Sequence, residues 1–377
     1  MDNNATTLVD KRVEKAMRSW QTEYYANPSS LHFFGQQISG AIVQARKEIA
    51  MSINADPEEI IFTASGSEGN NLCIKGYCEA NQNQGKHVIT SVIEHPSVLN
   101  TCKHLTEQGF EITYLPVDSH GFVKSEDLER AIRPDTIFVS IMYANNEIGT
   151  IQDLAVLIEI CNRHNIIFHT DAVQSFLKLP FDVKKLGLAM ATFSGHKIHA
   201  PKGIGFVYKR KNVQIRRQID GGGQEYGLRA GTENTAYIIG LNKAVKLFLT
   251  KDIRRMAVLQ DYTIKELCKI DSIRLNGPTD LTKRICNNIN FSVANIEGEF
   301  LLNELSKRKI CVSTGSACSS KSTKLSPILK AINCPAEYIH GNVRTSLSKF
   351  TSKGEIDVFL NALRDILKES DGILKEV

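Results

Sequence analysis

The chain has 377 residues, 42% of them apolar and 23% charged, with a formal net charge of +5. That length supports more than one hydrophobic core, while no apolar stretch approaches the ~20 residues that cross a bilayer as a helix. The polar start, Met1-Asp2-Asn3-Asn4-Ala5, has neither the basic patch nor the apolar block of a secretion signal, so a cytoplasmic protein with no membrane partner is expected.

Early in the chain, Ile60 to Thr63 reads as a strand that leads through Gly66-Ser67 into a helix over Glu68 to Glu79. Further strands are expected at His87–Thr90, Ile112–Leu115, Thr136–Ile141, Ile166–His169, Met190–Phe193 and Gly205–Tyr208, with a helix over Asp153 to His164. This alternation is that of a mostly parallel sheet covered by helices, an α/β fold. Past residue 250 the pattern changes. A long helical stretch precedes strand-like Asn288–Val293 and Lys309–Val312, and a helix from about Lys353 to Leu367 closes the chain. Two units are expected: a large one over 15–250, and a smaller α+β one built from 1–14 and 251–377.

The nine cysteines are an odd number, and Cys73, Cys78, Cys161 and Cys311 sit in apolar segments. They read as small buried hydrophobes in a reducing compartment. No Cys-x-x-Cys pair or zinc spacing occurs, so no metal is expected. The basic run Lys209-Arg210-Lys211 with Arg216-Arg217 lacks interleaved aromatics and reads as a solvated loop, not as a nucleic-acid surface.

Ligands of an open parallel sheet gather beyond the carboxyl ends of its strands. Ser67, His95, Asn146, Asp171 and Lys197 each follow a predicted strand closely, which argues for one site. Lys197, in Ser194-Gly195-His196-Lys197, supplies an amine that can form a Schiff base if burial keeps it neutral. Standing alone it would be a solvated charge. Asp171, with Gln174 beyond it, can hold a pyridine nitrogen protonated, although a lone aspartate after a strand serves equally as a helix cap. Gly66-Ser67 opens a helix and suits a phosphate; Ser194 and His196 can add hydrogen bonds to it. His95 can stack on a flat ring or carry protons near neutral pH. Cys318, in Ser313-Thr314-Gly315-Ser316-Ala317-Cys318-Ser319-Ser320, sits in a small polar segment that suits a nucleophilic thiol.

These motifs, together with Asn27-Pro28-Ser29-Ser30, Ser67-Glu68 with Asn70-Asn71, Asn145-Asn146-Glu147-Ile148-Gly149 and the Gly221 to Asn234 loop, resemble in order those of the NifS/IscS-type cysteine desulfurases. The resemblance implies the aminotransferase-like fold of the pyridoxal-phosphate enzymes, fold type I. It implies that Lys197 carries pyridoxal 5'-phosphate, that Asp171 pairs with its ring nitrogen, and that His95 stacks on the ring and donates protons. Gln174 and Asn146 would address the ring or the substrate. Gly66, Ser67, Ser194 and His196 would form the phosphate cup, with Thr232 added from the partner of a homodimer. Arg344 would receive the carboxylate of L-cysteine, and Cys318 its sulfur, for transfer to an acceptor such as an iron–sulfur scaffold, with tRNA thiolation as a further outlet. Where the family more often has Ser-Gly-Ala-Thr, this chain reads Ala64-Ser65-Gly66-Ser67, and it ends soon after its last helix, without the longer tail associated with scaffold docking. Selenocysteine cleavage, transamination and a non-catalytic binding role are the rival readings; transamination has no use for a thiol at Cys318.

Overall fold

Short runs of β-branched and aromatic residues become fully buried strands when helices cover both faces of a sheet. The computed structural model describes residues 1–315 and 325–375. Its larger sheet holds β1 (Ile60–Thr63), β2 (His87–Ser91), β3 (Glu111–Leu115), β4 (Thr136–Ser140), β5 (Ile167–Asp171), β6 (Met190–Ser194) and β7 (Gly205–Lys209), in the order β1-β7-β6-β5-β4-β2-β3. β7 runs antiparallel to both its neighbours, and the other pairings are parallel. Successive strand residues point to opposite faces. Ile60 and Phe62 therefore join one apolar cluster and Ile61 the other, and Phe206 and Tyr208 part from Val207 in the same way. Helix Gly66–Asn81 fills one cluster with Leu72, Cys73 and Ile74, and helix Leu154–Arg163 fills the opposite one with Leu157, Ile158 and Cys161. The expected α/β sheet is present, with strand ends displaced by a residue or two.

A smaller antiparallel sheet, β8 (Ile273–Leu275), β9 (Asn288–Val293) and β10 (Asn342–Ser346), follows in the order β10-β9-β8. Helices Thr250–Leu267, Gly298–Lys307 and Lys353–Lys375 pack around it. The strand expected over Lys309–Val312 does not form. Helix Gly298–Lys307 ends in a turn where Lys309 is left-handed (φ 62°) and the Ile310 N–H returns to Leu305 O at 2.9 Å. The segment then reaches the sheet through a bridge from Ser313 to Arg344. Cys311 is exposed as a result, contrary to the packed position its apolar neighbours suggest.

The N-terminal segment stitches the two sheets together. The Ser346 N–H at the end of β10 donates to Met1 O (2.8 Å), and the Thr7 N–H donates to His196 O (3.0 Å) just past β6. Arg284 makes a second tie. It is 2% exposed and donates from Nε to Pro278 O (2.9 Å), from Nη1 to Ile148 O (2.8 Å), and from Nη2 to Asn276 O. These acceptors are neutral carbonyls, so burial dominates and brings its pKa down to about 9. Removing the guanidinium strands three buried carbonyls, at ~1–3 kcal/mol each, partly offset by relief of the desolvated charge. Arg284→Met is expected to cost ~2–4 kcal/mol of stability, read as a lower urea midpoint at unchanged slope. An unmoved midpoint would mean that this cage contributes nothing net.

Candidate active site

Because β1, β2, β4, β5 and β6 all run the same way, the loops beyond their carboxyl ends converge on one edge. Ser67 follows β1, His95 follows β2, Asn146 follows β4, Asp171 ends β5 and Lys197 follows β6. With Arg344 from β10, these residues line one cavity of about 250 Å³. Gly66, Gln174, Ser194 and His196 line it as well.

Lys197 sits in a single tight turn, Gly195–Lys197. Its Nζ donates to Asn4 O, and to Ala5 O at 2.9 Å. Burial, followed by the nearby charges of Arg344 and Lys178, brings its pKa down to about 7 against the pull of Asp171 and Asp2. A neutral amine has two N–H bonds, which the two carbonyls accept, and one lone pair left for chemistry.

Asp171 is 6% exposed; its Oδ1 accepts the Val173 N–H (2.9 Å) and its Oδ2 accepts Asn70 Nδ2 (2.7 Å). Asn70 Nδ2 also donates to Ser97 Oγ (2.8 Å), and that hydroxyl lies 2.8 Å from His95 Nδ1. The Ser97 N–H donates to the same Nδ1 at 3.1 Å, and an accepting Nδ1 places the proton of a neutral imidazole on Nε2. Burial lowers the His95 pKa and outweighs the opposing charge of Asp171, so the ring is neutral at pH 7. Glu94 fixes the turn before it. Its carboxyl accepts the Met142 N–H (2.9 and 3.1 Å) and the Ser91 hydroxyl (2.6 Å), tying the exit of β2 to that of β4.

Ser65 caps helix Gly66–Asn81 by accepting the Glu68 N–H at 3.1 Å. The amides of Gly66 and Ser67 precede that bond and belong to the first turn, where no intrahelical acceptor exists and the helix dipole favours an anion. A Cβ on Gly66 would lie 2.7 Å from Val173 Cγ2, so a side chain there would have to displace Val173. Burial drives the His196 pKa to about 3, and its Nδ1 lies 3.1 Å from Thr6 Oγ1, leaving a neutral ring at the cavity wall. Arg344 is 2% exposed: Nη1 donates to Asn146 O (3.2 Å), Nη2 pairs with Asp2 Oδ1 (3.2 Å), and Nε is buried without a partner among the described residues.

Two residues matter beyond the roles read from the sequence. The backbone oxygen of Asn4 accepts both Lys197 Nζ and Gln174 Nε2 (3.1 Å), while its side chain donates to Asn146 O (3.1 Å) and accepts from Asn287 Nδ2 (2.8 Å). Asn70 orients Asp171. Both asparagines belong to recognisable motifs, yet their partners lie far away in sequence, so no local pattern announces what they do. Thr232 is exposed and lines a separate cleft with Arg229 and Ile204, outside the cavity of its own chain. Cys318 lies outside the described residues.

A group with an aldehyde, a basic ring nitrogen and a phosphate matches this donor set. Lys197 offers a neutral amine for the aldehyde, Asp171 a buried carboxylate for the ring nitrogen, and the Gly66-Ser67 amides an anion site. The unpartnered Nε of Arg344 suits a second anion, such as a carboxylate.

The family model described as aminotransferase class-V matches residues 1–359. A cysteine desulfurase IscS of Dictyoglomus turgidum is 47% identical over 373 residues, covering 98% of this chain and 94% of the relative. Among solved structures, a NifS-like protein superposes with a TM-score of 0.91 at 38% identity, covering 97% of this chain and 98% of the other. SspA in complex with cysteine superposes with a TM-score of 0.83 at 37% identity, covering 93% and 99%.

Proposed function

The chain belongs to the aminotransferase class-V family, and from that premise we infer that it is a pyridoxal-phosphate-dependent cysteine desulfurase. The observation that carries this reading is one cavity shared by a near-neutral buried amine, a buried carboxylate, an open helix N-terminus and a buried arginine. When bound, pyridoxal phosphate supplies an aldehyde to the amine and a ring that stores the electrons left at Cα.

The protein's part follows from its own groups. Gly66, Ser67, Ser194 and His196 hold the phosphate, Asp171 holds the ring nitrogen, and Gln174 and Asn146 border the ring and the substrate. Arg344 receives the carboxylate of L-cysteine and so fixes which bond at Cα faces Lys197. The Lys197 lone pair takes the Cα proton, and the Nε2–H of His95 is the proton donor on the ring face. The Cys318 thiolate attacks the substrate sulfur: the substrate Cβ–S bond breaks, an S–S bond forms on Cys318, and Cβ is reduced to the methyl of L-alanine. L-cysteine and one thiol thus become L-alanine and one persulfide. We take residues 15–250 as the unit that holds the cofactor, and 1–14 with 251–377 as the unit that brings Arg344 and Cys318.

The persulfide passes to an acceptor protein, for which an iron–sulfur scaffold is the leading choice. No helix among the described residues is long and apolar enough to cross a membrane, and the working location is the cytoplasm. The protein works as a homodimer. Tyr25 (76% exposed), Leu31 (90%) and Phe33 (81%) are large apolar side chains left at the surface, and Thr232, exposed and outside the cavity of its own chain, can reach a neighbouring one; both support this reading.

With L-cysteine, pyridoxal phosphate and a thiol reductant, alanine and sulfide are expected in equal amounts; alanine without sulfide, or neither product, would refute the reading. Arg344→Lys is expected to raise KM for L-cysteine about 10–100-fold with kcat nearly unchanged, since a planar fork is replaced by a point charge at a cost of ~1.5–3 kcal/mol. An unchanged KM would remove Arg344 from substrate binding.

A further inference from the structure

Glu147 is a carboxylate that is 4% exposed and stands next to Asn146, which lines the cavity. Its backbone is held from both sides: the N–H donates to Asn145 Oδ1 (2.8 Å) and the carbonyl accepts Asn288 Nδ2 (2.8 Å). Its side chain points away from these ties. Oε2 accepts the Ser326 hydroxyl at 2.9 Å, and a Cβ added to Gly315, which is left-handed at φ +67°, would lie 3.3 Å from the same oxygen. Gly315 and Ser326 flank the segment that carries Cys318, so one carboxylate oxygen sits against both of its ends. The upstream end is also locked to the substrate side of the cavity. Ser313 and Arg344 exchange backbone hydrogen bonds, 3.0 Å from the Ser313 N–H and 2.7 Å from the Arg344 N–H.

A buried carboxylate is costly unless hydrogen-bonded, and a neutral amide would bind a hydroxyl with less loss. Placing an acceptor at this junction ties the downstream end through the Ser326 hydroxyl and packs closely on the upstream end at Gly315, where a side chain would have little room. We propose that Glu147 is a positioning residue for sulfur transfer: it fixes where the Cys318 segment leaves and rejoins the fold, on the same frame that holds Asn146 and Arg344 at the substrate. This rests on the desulfurase reading.

The test separates the two steps. Loaded protein is given L-cysteine, and two quantities are measured: exchange of the substrate Cα proton with D₂O, which needs the cavity but not the thiol, and persulfide on Cys318 in a single turnover. Glu147→Ala is expected to slow persulfide formation at least tenfold while Cα exchange changes less than twofold. Glu147→Gln, which retains an acceptor for Ser326, should stay within threefold of wild type in both. A readout independent of the cofactor is iodoacetamide capture of Cys318 in cofactor-free protein, where Glu147→Ala should change the rate at least threefold and Glu147→Gln should not. Wild-type persulfide rates in Glu147→Ala, equal loss of both steps, or unchanged capture would overturn the role of Glu147. Wild-type protein that forms no persulfide at Cys318 would instead overturn the desulfurase reading beneath it.

Discussion

Replacing Lys197 by alanine is expected to lower alanine release from L-cysteine at least ~10³-fold, within the range a positioned general base contributes. It should also abolish the borohydride-fixed adduct of pyridoxal phosphate at this position, read by peptide mass. The expectation follows from the state of the amine. An exposed lysine is charged at neutral pH and has no lone pair to offer. Burial and the charges of Arg344 and Lys178 bring Lys197 to about 7, and the Asn4 and Ala5 carbonyls take up its two N–H bonds. Lys197→Arg should be as inactive as alanine despite keeping the charge, because a guanidinium does not lose its proton in this range. The sign of the pH dependence is fixed as well. The neutral amine grows as pH rises through about 7, so the rate should climb across that value and fall below it as the amine is protonated. A rate that is flat from pH 6 to 8, or an active Lys197→Ala, would remove the amine from proton transfer.

How much of this was legible in the sequence differs by residue, for physical reasons. Strands such as β2, β4 and β6 are buried on both faces, so continuous apolar runs betray them. The residues just past them inherit a predictable place at the strand ends, which is why the sequence alone groups Ser67, His95, Asn146 and Lys197. β10 escaped notice. Its residues Asn342-Val343-Arg344-Thr345-Ser346 are mostly polar yet wholly buried: Asp2, Asn146 and the N-terminal backbone take up several of their polar groups, while Arg344 Nε and Asn342 Oδ1 have no partner among the described residues. Such a strand has no apolar signal to read. The opposite failure occurs at Lys309–Val312, where an apolar pattern exists but a left-handed residue at a helix end directs the chain elsewhere. Asn4 and Asn70 owe their roles to partners brought close only by the tertiary fold, which periodicity and propensity cannot encode.

Cys318→Ala is expected to abolish persulfide on the protein and to reduce sulfide release from L-cysteine at least ~10²-fold, the low end for loss of a positioned catalytic group, while the Cα proton still exchanges with solvent. Elimination among the nine cysteines supports the choice. Burial raises Cys73, Cys102 and Cys161 to about 12 and Cys286 to about 11, and pushes Cys78 and Cys334 upward as well. Those thiols stay protonated at neutral pH, and the thiolate is the nucleophile. Cys268 and Cys311 are exposed, but Cys268 caps helix Thr250–Leu267 and Cys311 follows helix Gly298–Lys307, and neither lines the cavity. Cys268→Ala and Cys311→Ala should therefore leave both readouts unchanged. The separation of the two steps is the decisive feature: proton exchange tests the amine and the ring site without the thiol, whereas persulfide requires the thiol in addition. Undiminished sulfide from Cys318→Ala would mean that sulfur leaves the substrate without this acceptor, and persulfide captured on Cys311 instead would move the acceptor to the neighbouring segment.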